Sequence, residues 1–165
     1  MKTRRTSFFT FLTACTLLSS CLSVSLTPKM SKSEDVRFVP PGGSFEQIKS
    51  PGADEAWQDK KLGNSISYLS SCNDPTDPSL ESIEKDMLSS LDSSKIAATS
   101  QAFFDGRESR KTQAEGNVDG IPTKIEILTF KKNSCLYSVS YVSITKNFDQ
   151  DLAIFNKFLE GFKAP

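Results

Sequence analysis

Histidine is absent from this chain of 165 residues, and that absence removes more chemistry than any other feature of its composition. Ser-His-Asp and Cys-His arrangements need an imidazole near neutral pH, and so do nearly all catalytic zinc sites. An enzyme built from this sequence has to work with carboxylates, Lys, Tyr or Cys. No C-x-x-C pair is present, and the Pro41-Gly42-Gly43 stretch leads into no helix, which excludes a phosphate-cradling loop. Net charge is lacking too, with 20 basic residues against 20 acidic. A strongly basic surface for nucleic acid is therefore not expected. Long apolar runs are also missing: the longest, Ser7 to Ser20, spans about 14 residues where a membrane-crossing helix needs roughly 20.

What is present at the N-terminus has a definite order. Lys2, Arg4 and Arg5 form a basic head, an uncharged stretch follows, and Leu18-Ser19-Ser20-Cys21 closes it. A positive region, an apolar region and a small-residue site ending on cysteine make up an export signal. This pattern resembles that of the bacterial lipoproteins, which implies cleavage before Cys21 and lipid on its thiol. Leu12-Thr13-Ala14-Cys15 also fits the cleavage pattern, but with an apolar region near the lower limit of length. Lipoproteins of this type carry three acyl chains, palmitate among them, and several chains anchor stably where one does not. Leu22 follows Cys21 where Asp would suggest inner-membrane retention. The resemblance thus implies the outer membrane, facing the periplasm, with residues 1–20 removed. Lys2, Arg4 and Arg5 leave with the leader, so the mature chain has about three more acidic than basic residues and no polybasic patch.

Two cysteines remain in the mature chain beside Cys21. Cys72 and Cys135 are expected to form a disulfide in an oxidising compartment. A redox pair or two buried thiols are the alternatives. Residues 21–54 hold Pro40-Pro41-Gly42-Gly43 and Pro51-Gly52 without sustained periodicity and read as a flexible tether with an r.m.s. span of roughly 30 Å. Val36 to Val39 could add an edge strand.

A single domain is expected over 55–165. Glu55 to Gln58 and Asn64 to Ser71 read as a hairpin about Gly63-Asn64. A helix follows, with Asp77 as its cap, Pro78 at its first position, and Leu80, Ile83, Met87, Leu88 and Leu91 on one face. Four strands come next: Lys95 to Phe104, Arg107 to Val118, Thr123 to Lys131 and Cys135 to Thr145. They are punctuated by Asp105-Gly106, Asp119-Gly120 and Asn133-Ser134, and Asp-Gly between strand-like runs is a strong hairpin signal. The last strand has no polar face, which places it centrally, with Ser138 and Ser140 allowing a helix to approach. A second helix closes the chain, capped by Asn147 or Asp149, with Phe148, Leu152, Phe155, Leu159 and Phe162 on its buried stripe.

The layout predicts an α+β fold, β-β-α-β-β-β-β-α, with an antiparallel sheet of about six strands and two packed helices. This order, with Asp105-Gly106-Arg107-Glu108 at a strand-turn-strand position and Phe155 to Phe162 in the last helix, resembles the Mog1/PsbP-like fold. That group includes bacterial lipoproteins and the lumenal PsbP protein of photosystem II. The resemblance implies a binding or assembly accessory rather than a catalyst.

Several constellations could carry chemistry. Arg107 and Lys111 share a strand face and could receive an anion, although such a row is more often a solvated sheet face with cross-strand partners such as Glu126. Tyr137 and Tyr141 are ligand-binding candidates on the last strand. Asp74, Asp77 and Glu81 do not match a calcium loop, and neither a metal nor a cofactor is expected. Glu108 and Glu115 fall on opposite strand faces and make a poor catalytic pair. The sequence therefore leads to a non-enzymatic, lipid-anchored envelope accessory protein, held to the membrane by its lipid and binding an envelope protein or ligand. A periplasmic carrier or sensor, with a small-molecule pocket between sheet and last helix, is the alternative. An enzyme using carboxylates or Tyr is the third.

Overall fold

The computed structural model describes residues 30–165. The leader, Cys15 and Cys21 lie outside the described residues. Seven strands form one antiparallel sheet: β1 (Phe45–Ile48), β2 (Glu55–Asp59), β3 (Ser65–Cys72), β4 (Asp92–Phe104), β5 (Arg107–Val118), β6 (Ile121–Lys132) and β7 (Cys135–Ile144). Two helices join them, α1 (Leu80–Leu88) between β3 and β4, and α2 (Phe148–Gly161) at the end. The spatial order is β1-β2-β3-β7-β6-β5-β4. Two meanders, β1-β2-β3 and β4-β5-β6-β7, are thus sewn together where β3 meets β7, from Ser65 opposite Val142 to Cys72 opposite Cys135.

The turns explain the second meander. Asp105-Gly106, Asp119-Gly120 and Asn133-Ser134 all hold positive φ at both central positions. That conformation matches the right-handed twist of the flanking strands, and Asp, Asn and Gly tolerate it best.

The sheet is covered unequally. α2 packs on β7 and buries Phe148, Phe155, Phe158, Leu159 and Phe162 against Ile66, Tyr68, Leu128, Phe130, Tyr137, Val139 and Tyr141. Full burial of each such side chain is worth about 1.5–3 kcal/mol, so this face holds most of the core. On the opposite face α1 packs on β5 and β6, with Leu88 and Leu91 against Ala114, Ile125 and Ile127. β7 is central as expected, and Val142 on its serine face packs against the cluster that holds Leu88 of α1. Ser140 on the same face shares a hydrogen bond of 2.9 Å with Ser67 of β3.

The expected sheet of about six strands gains a seventh because β1 lies inside the segment read as a tether. Its Phe45 is buried in the main core, and Phe45 to Ile48 pairs with Asp59 to Ala56 of β2. The correction reaches further back. Arg37 exchanges backbone hydrogen bonds with Lys163, at 2.9 and 2.7 Å, and Ser31 does so with Cys72, at 3.3 and 2.8 Å. Val36 and Phe38 pack against the core, where Phe38 meets Trp57, Tyr68 and Phe158 with ring centroids 5.3, 5.4 and 5.9 Å away. Residues 30–54 therefore belong to the domain; 21–29 lie outside the described residues. Val36 to Val39 joins no sheet edge and is fastened to the C-terminus instead.

The caps also differ. Ser79, not Asp77, caps α1 by accepting from the Ser82 N–H at 3.1 Å. Asp77 takes a positive φ of 41° in the preceding turn, which leaves Leu80 as the first helical residue. Asn147 occupies the cap position of α2 but makes no side-chain capping bond there.

Candidate functional site

Cys72 and Cys135 are joined as a disulfide at one end of the β3–β7 pair. Their positions follow from the register, which sets them directly opposite each other.

The four ligand-binding candidates are scattered. Tyr137 and Tyr141 point into the α2 core, each with no exposed surface. Tyr137 shares a hydrogen bond of 2.7 Å with the Ser33 hydroxyl, and Tyr141 donates to the Phe148 carbonyl at 2.8 Å. Burial, reinforced by the nearby Asp151 carboxylate, pushes the Tyr141 hydroxyl up to about 12. Neither ring faces a ligand space. The pocket expected between the sheet and the last helix is filled: Tyr141 stacks on Phe155 and Phe130 on Tyr137.

Lys111 pairs with the buried Glu126 at 2.6 Å and donates to Asn156 of α2 at 3.2 Å, so the cross-strand reading holds for it. Arg107 turns elsewhere. It lines an open hollow of about 550 Å³ beside the disulfide with Lys131, Lys132, Asp74 and Asp77. The structure does not bring Arg107 and Lys111 together as an anion site. Lys131 is paired with Asp77 inside that hollow, and Lys132, which also lines it, is paired with Asp105 at 2.9 Å. Burial alone would raise the Asp105 carboxyl, but Lys132, the Ala164 N–H at 3.0 Å and Lys163 outweigh it and hold it below the usual range.

The acidic residues weighed for calcium have other partners. Asp74 accepts from the Thr76 N–H and hydroxyl at 2.9 and 2.7 Å, and Glu81 lies 3.4 Å from Arg110. Among the described residues no cluster of three Asp, Glu, Cys or His is placed to hold a metal. Glu115 pairs with Lys124 at 3.4 Å.

A buried ion pair was not foreseen. Glu84 of α1 accepts from Arg110 through both oxygens and from the Thr112 hydroxyl at 2.5 Å. Burial pushes the Glu84 carboxyl up, but the Arg110 guanidinium and the Thr112 hydroxyl more than offset it, and its pKa lies below the usual carboxylate range. This cluster pins α1 to β5.

The most distinctive surface is β4. All of its residues up to Phe103 are exposed, because α1 covers β5 and β6, and α2 covers β7, leaving neither helix over the last strand. No strand among the described residues pairs with its outer edge. Phe103 is 78 % exposed and Ile96 54 %. Both rim shallow hollows against α1: Phe103 with Leu80, Gln101 and Arg110 in one of about 450 Å³, and Ile96 with Leu88 and Ser94 in another. A row of unpaired backbone donors and acceptors beside apolar rim residues can accept an added strand with side-chain anchors. This is the candidate site.

No protein-family model matches the chain, and no curated protein matches it in sequence. Solved structures do match in shape. The crystal structure of LpqN, involved in cell envelope biogenesis of Mycobacterium tuberculosis, superposes with a TM-score of 0.64 at 11% identity, covering 83% of this chain and 91% of that one. The solution structure of cyanobacterial PsbP (CyanoP) from Synechocystis sp. PCC 6803 gives 0.54 at 14% identity, covering 90% and 99%. A protein of unknown function and putative regulator from Pseudomonas aeruginosa, PA94, gives 0.50 at 9%, covering 81% and 82%. The fold is α+β and similar to PsbP and LpqN. At these identities the likeness concerns architecture.

Proposed function

We propose that this protein is a non-enzymatic, lipid-anchored accessory of the bacterial envelope, held by lipid on Cys21 and facing the periplasm from the outer membrane, which docks a protein partner on the outer edge of β4. The observation that carries this is the 13-residue strand β4, exposed at every position but Phe104. Soluble monomers cover, shorten or charge such an edge, and here it is long, open and flanked by Phe103. The rest of the fold supports the same reading. Its two hydrophobic clusters are packed on both faces of the sheet, the disulfide suits an oxidising compartment, and the similarly folded LpqN is involved in cell envelope biogenesis.

The test is co-purification from detergent-solubilised envelopes. The wild-type chain should retain a stoichiometric protein partner, and Ala102→Glu, which places a charge on the exposed edge, should lose it while keeping the same melting temperature. Retention of the partner by the variant would refute docking at β4. Release of a Cys21→Ala variant into the soluble fraction, with loss of the acylated N-terminal peptide by mass spectrometry, checks the anchor.

A further inference from the structure

The reading of β4 as a docking edge leaves its occupant open, and the strand itself narrows the choice. From Ile96 to Phe104 the sequence IAATSQAFF contains no ionisable side chain. Lys95 and Asp105 mark the ends of this neutral stretch. The register with β5 shifts between Asp92 and Lys95 and again between Ile96 and Ala98, then runs without interruption from Ala98 opposite Gln113 to Phe104 opposite Arg107. The regular part of the open edge is thus seven residues, Ala98 to Phe104. An added strand must be extended, uncharged and small enough in its side chains to lie beside Ala98, Ser100 and Ala102 on one face and Thr99 and Gln101 on the other.

We infer that the occupant is a second copy of this chain, its β4 running antiparallel to the first about a two-fold axis normal to the sheet. This rests on the docking reading above. β4 meets its own requirements: it is uncharged, has small side chains at its centre, and is already ordered as a strand by β5. A free peptide would pay the entropy of becoming extended at the moment of binding, whereas a strand already built into a sheet does not. Antiparallel pairing about such an axis is isologous, so every contact is made twice and the arrangement closes at two copies. The two sheets then become one, and the exposed Phe103 of each copy comes to lie beside the β4 of the other. The opposite edge of the sheet, β1, offers only four residues.

The symmetry makes a sharp test, because residues near the axis face their own copies. Gln101→Cys, at the centre of the regular stretch Ala98 to Phe104, should give a thiol-reducible dimer on mild oxidation of the full chain in its native envelope. Ser50→Cys, exposed near the far edge of the sheet, should give none. Ser100→Glu lies opposite Lys111 within its own chain and should fold normally, yet it sets two carboxylates against each other across the axis. Combined with Gln101→Cys, it should lower the dimer yield of the Gln101→Cys chain at least tenfold. Absence of a dimer from cysteines placed singly at each position from 98 to 104 would overturn the inference. If those cysteines joined the chain to a different protein, the second copy would be refuted while docking at β4 stood.

Discussion

Removing Arg110 should damage this protein more than removing Arg110 and Glu84 together. Glu84 has only 6% of its side chain exposed and Arg110 16%, so neither charge can recover much hydration from water. With Arg110 replaced by Ala, Glu84 keeps one strong donor, Thr112, and its charge is left buried. Breaking a buried pair in this way costs about 3–5 kcal/mol, a large part of a typical total of about 5–15 kcal/mol. For a domain of this size each kcal/mol moves the melting temperature by roughly 3–4 °C, so Arg110→Ala should fall by about 10–20 °C. The double variant Glu84→Leu with Arg110→Met removes both charges at similar volume and should recover at least half of the loss. The pH dependence has a fixed sign. The folded carboxyl of Glu84 is held below its ordinary value of 4.5, so its contribution is whole above that value and drains as the pH falls through the depressed folded value. Thermal denaturation from pH 7 to pH 3 should show wild type losing stability below 4.5 and the double variant losing less. If Arg110→Ala were no less stable than the double variant, the assignment of this pair as a buried, mutually dependent unit would be wrong.

Two further outcomes follow from the core and the covalent link. Phe38→Ala should destabilise by about 2 kcal/mol in urea denaturation, since the ring packs on Trp57, Tyr68 and Phe158; a tether residue would change nothing. Replacing Cys72 and Cys135 together with Ser should cost about 4 kcal/mol in the chain-entropy account, because the bond closes a separation of 63 residues. Equal midpoints with and without the bond would show that the β3–β7 pairing is already fixed in the unfolded ensemble.

The parts of the fold that were legible in the sequence are those set by local chemistry. Asp105-Gly106 and Asp119-Gly120 announce their hairpins because few other residues accept two successive positive φ values, and the Phe155 to Phe162 stripe announces α2 because its spacing serves one face. β1 was hidden by its neighbours. Four residues between Pro40-Pro41-Gly42-Gly43 and Pro51-Gly52 carry too little periodicity to stand out, and Phe45 is buried only because β2 and α2 lie where they do. Val36 and Phe38 gave an apolar signal, but what they pack on is more than 100 residues away at the C-terminus as well as nearby. The site was less legible still. The central place of the last strand made Tyr137 and Tyr141 legible as inner residues, but not that Phe130 and Phe155 stack on them and leave no ligand space. Arg107 and Lys111 separate because Glu126 and Asn156 claim one of them. The openness of β4 depends on β3 pairing with β7, which sends β4 to the outside of the sheet, and no residue within β4 encodes that.

The most direct measurement is photo-crosslinking in living cells, with a benzophenone amino acid in place of Phe103 and, separately, of Ser50. Docking on β4 predicts a discrete protein adduct from position 103, absent from position 50 and lost when Ala102→Glu is added. A chain that forms no adduct at 103 while folded and membrane-bound would contradict the account.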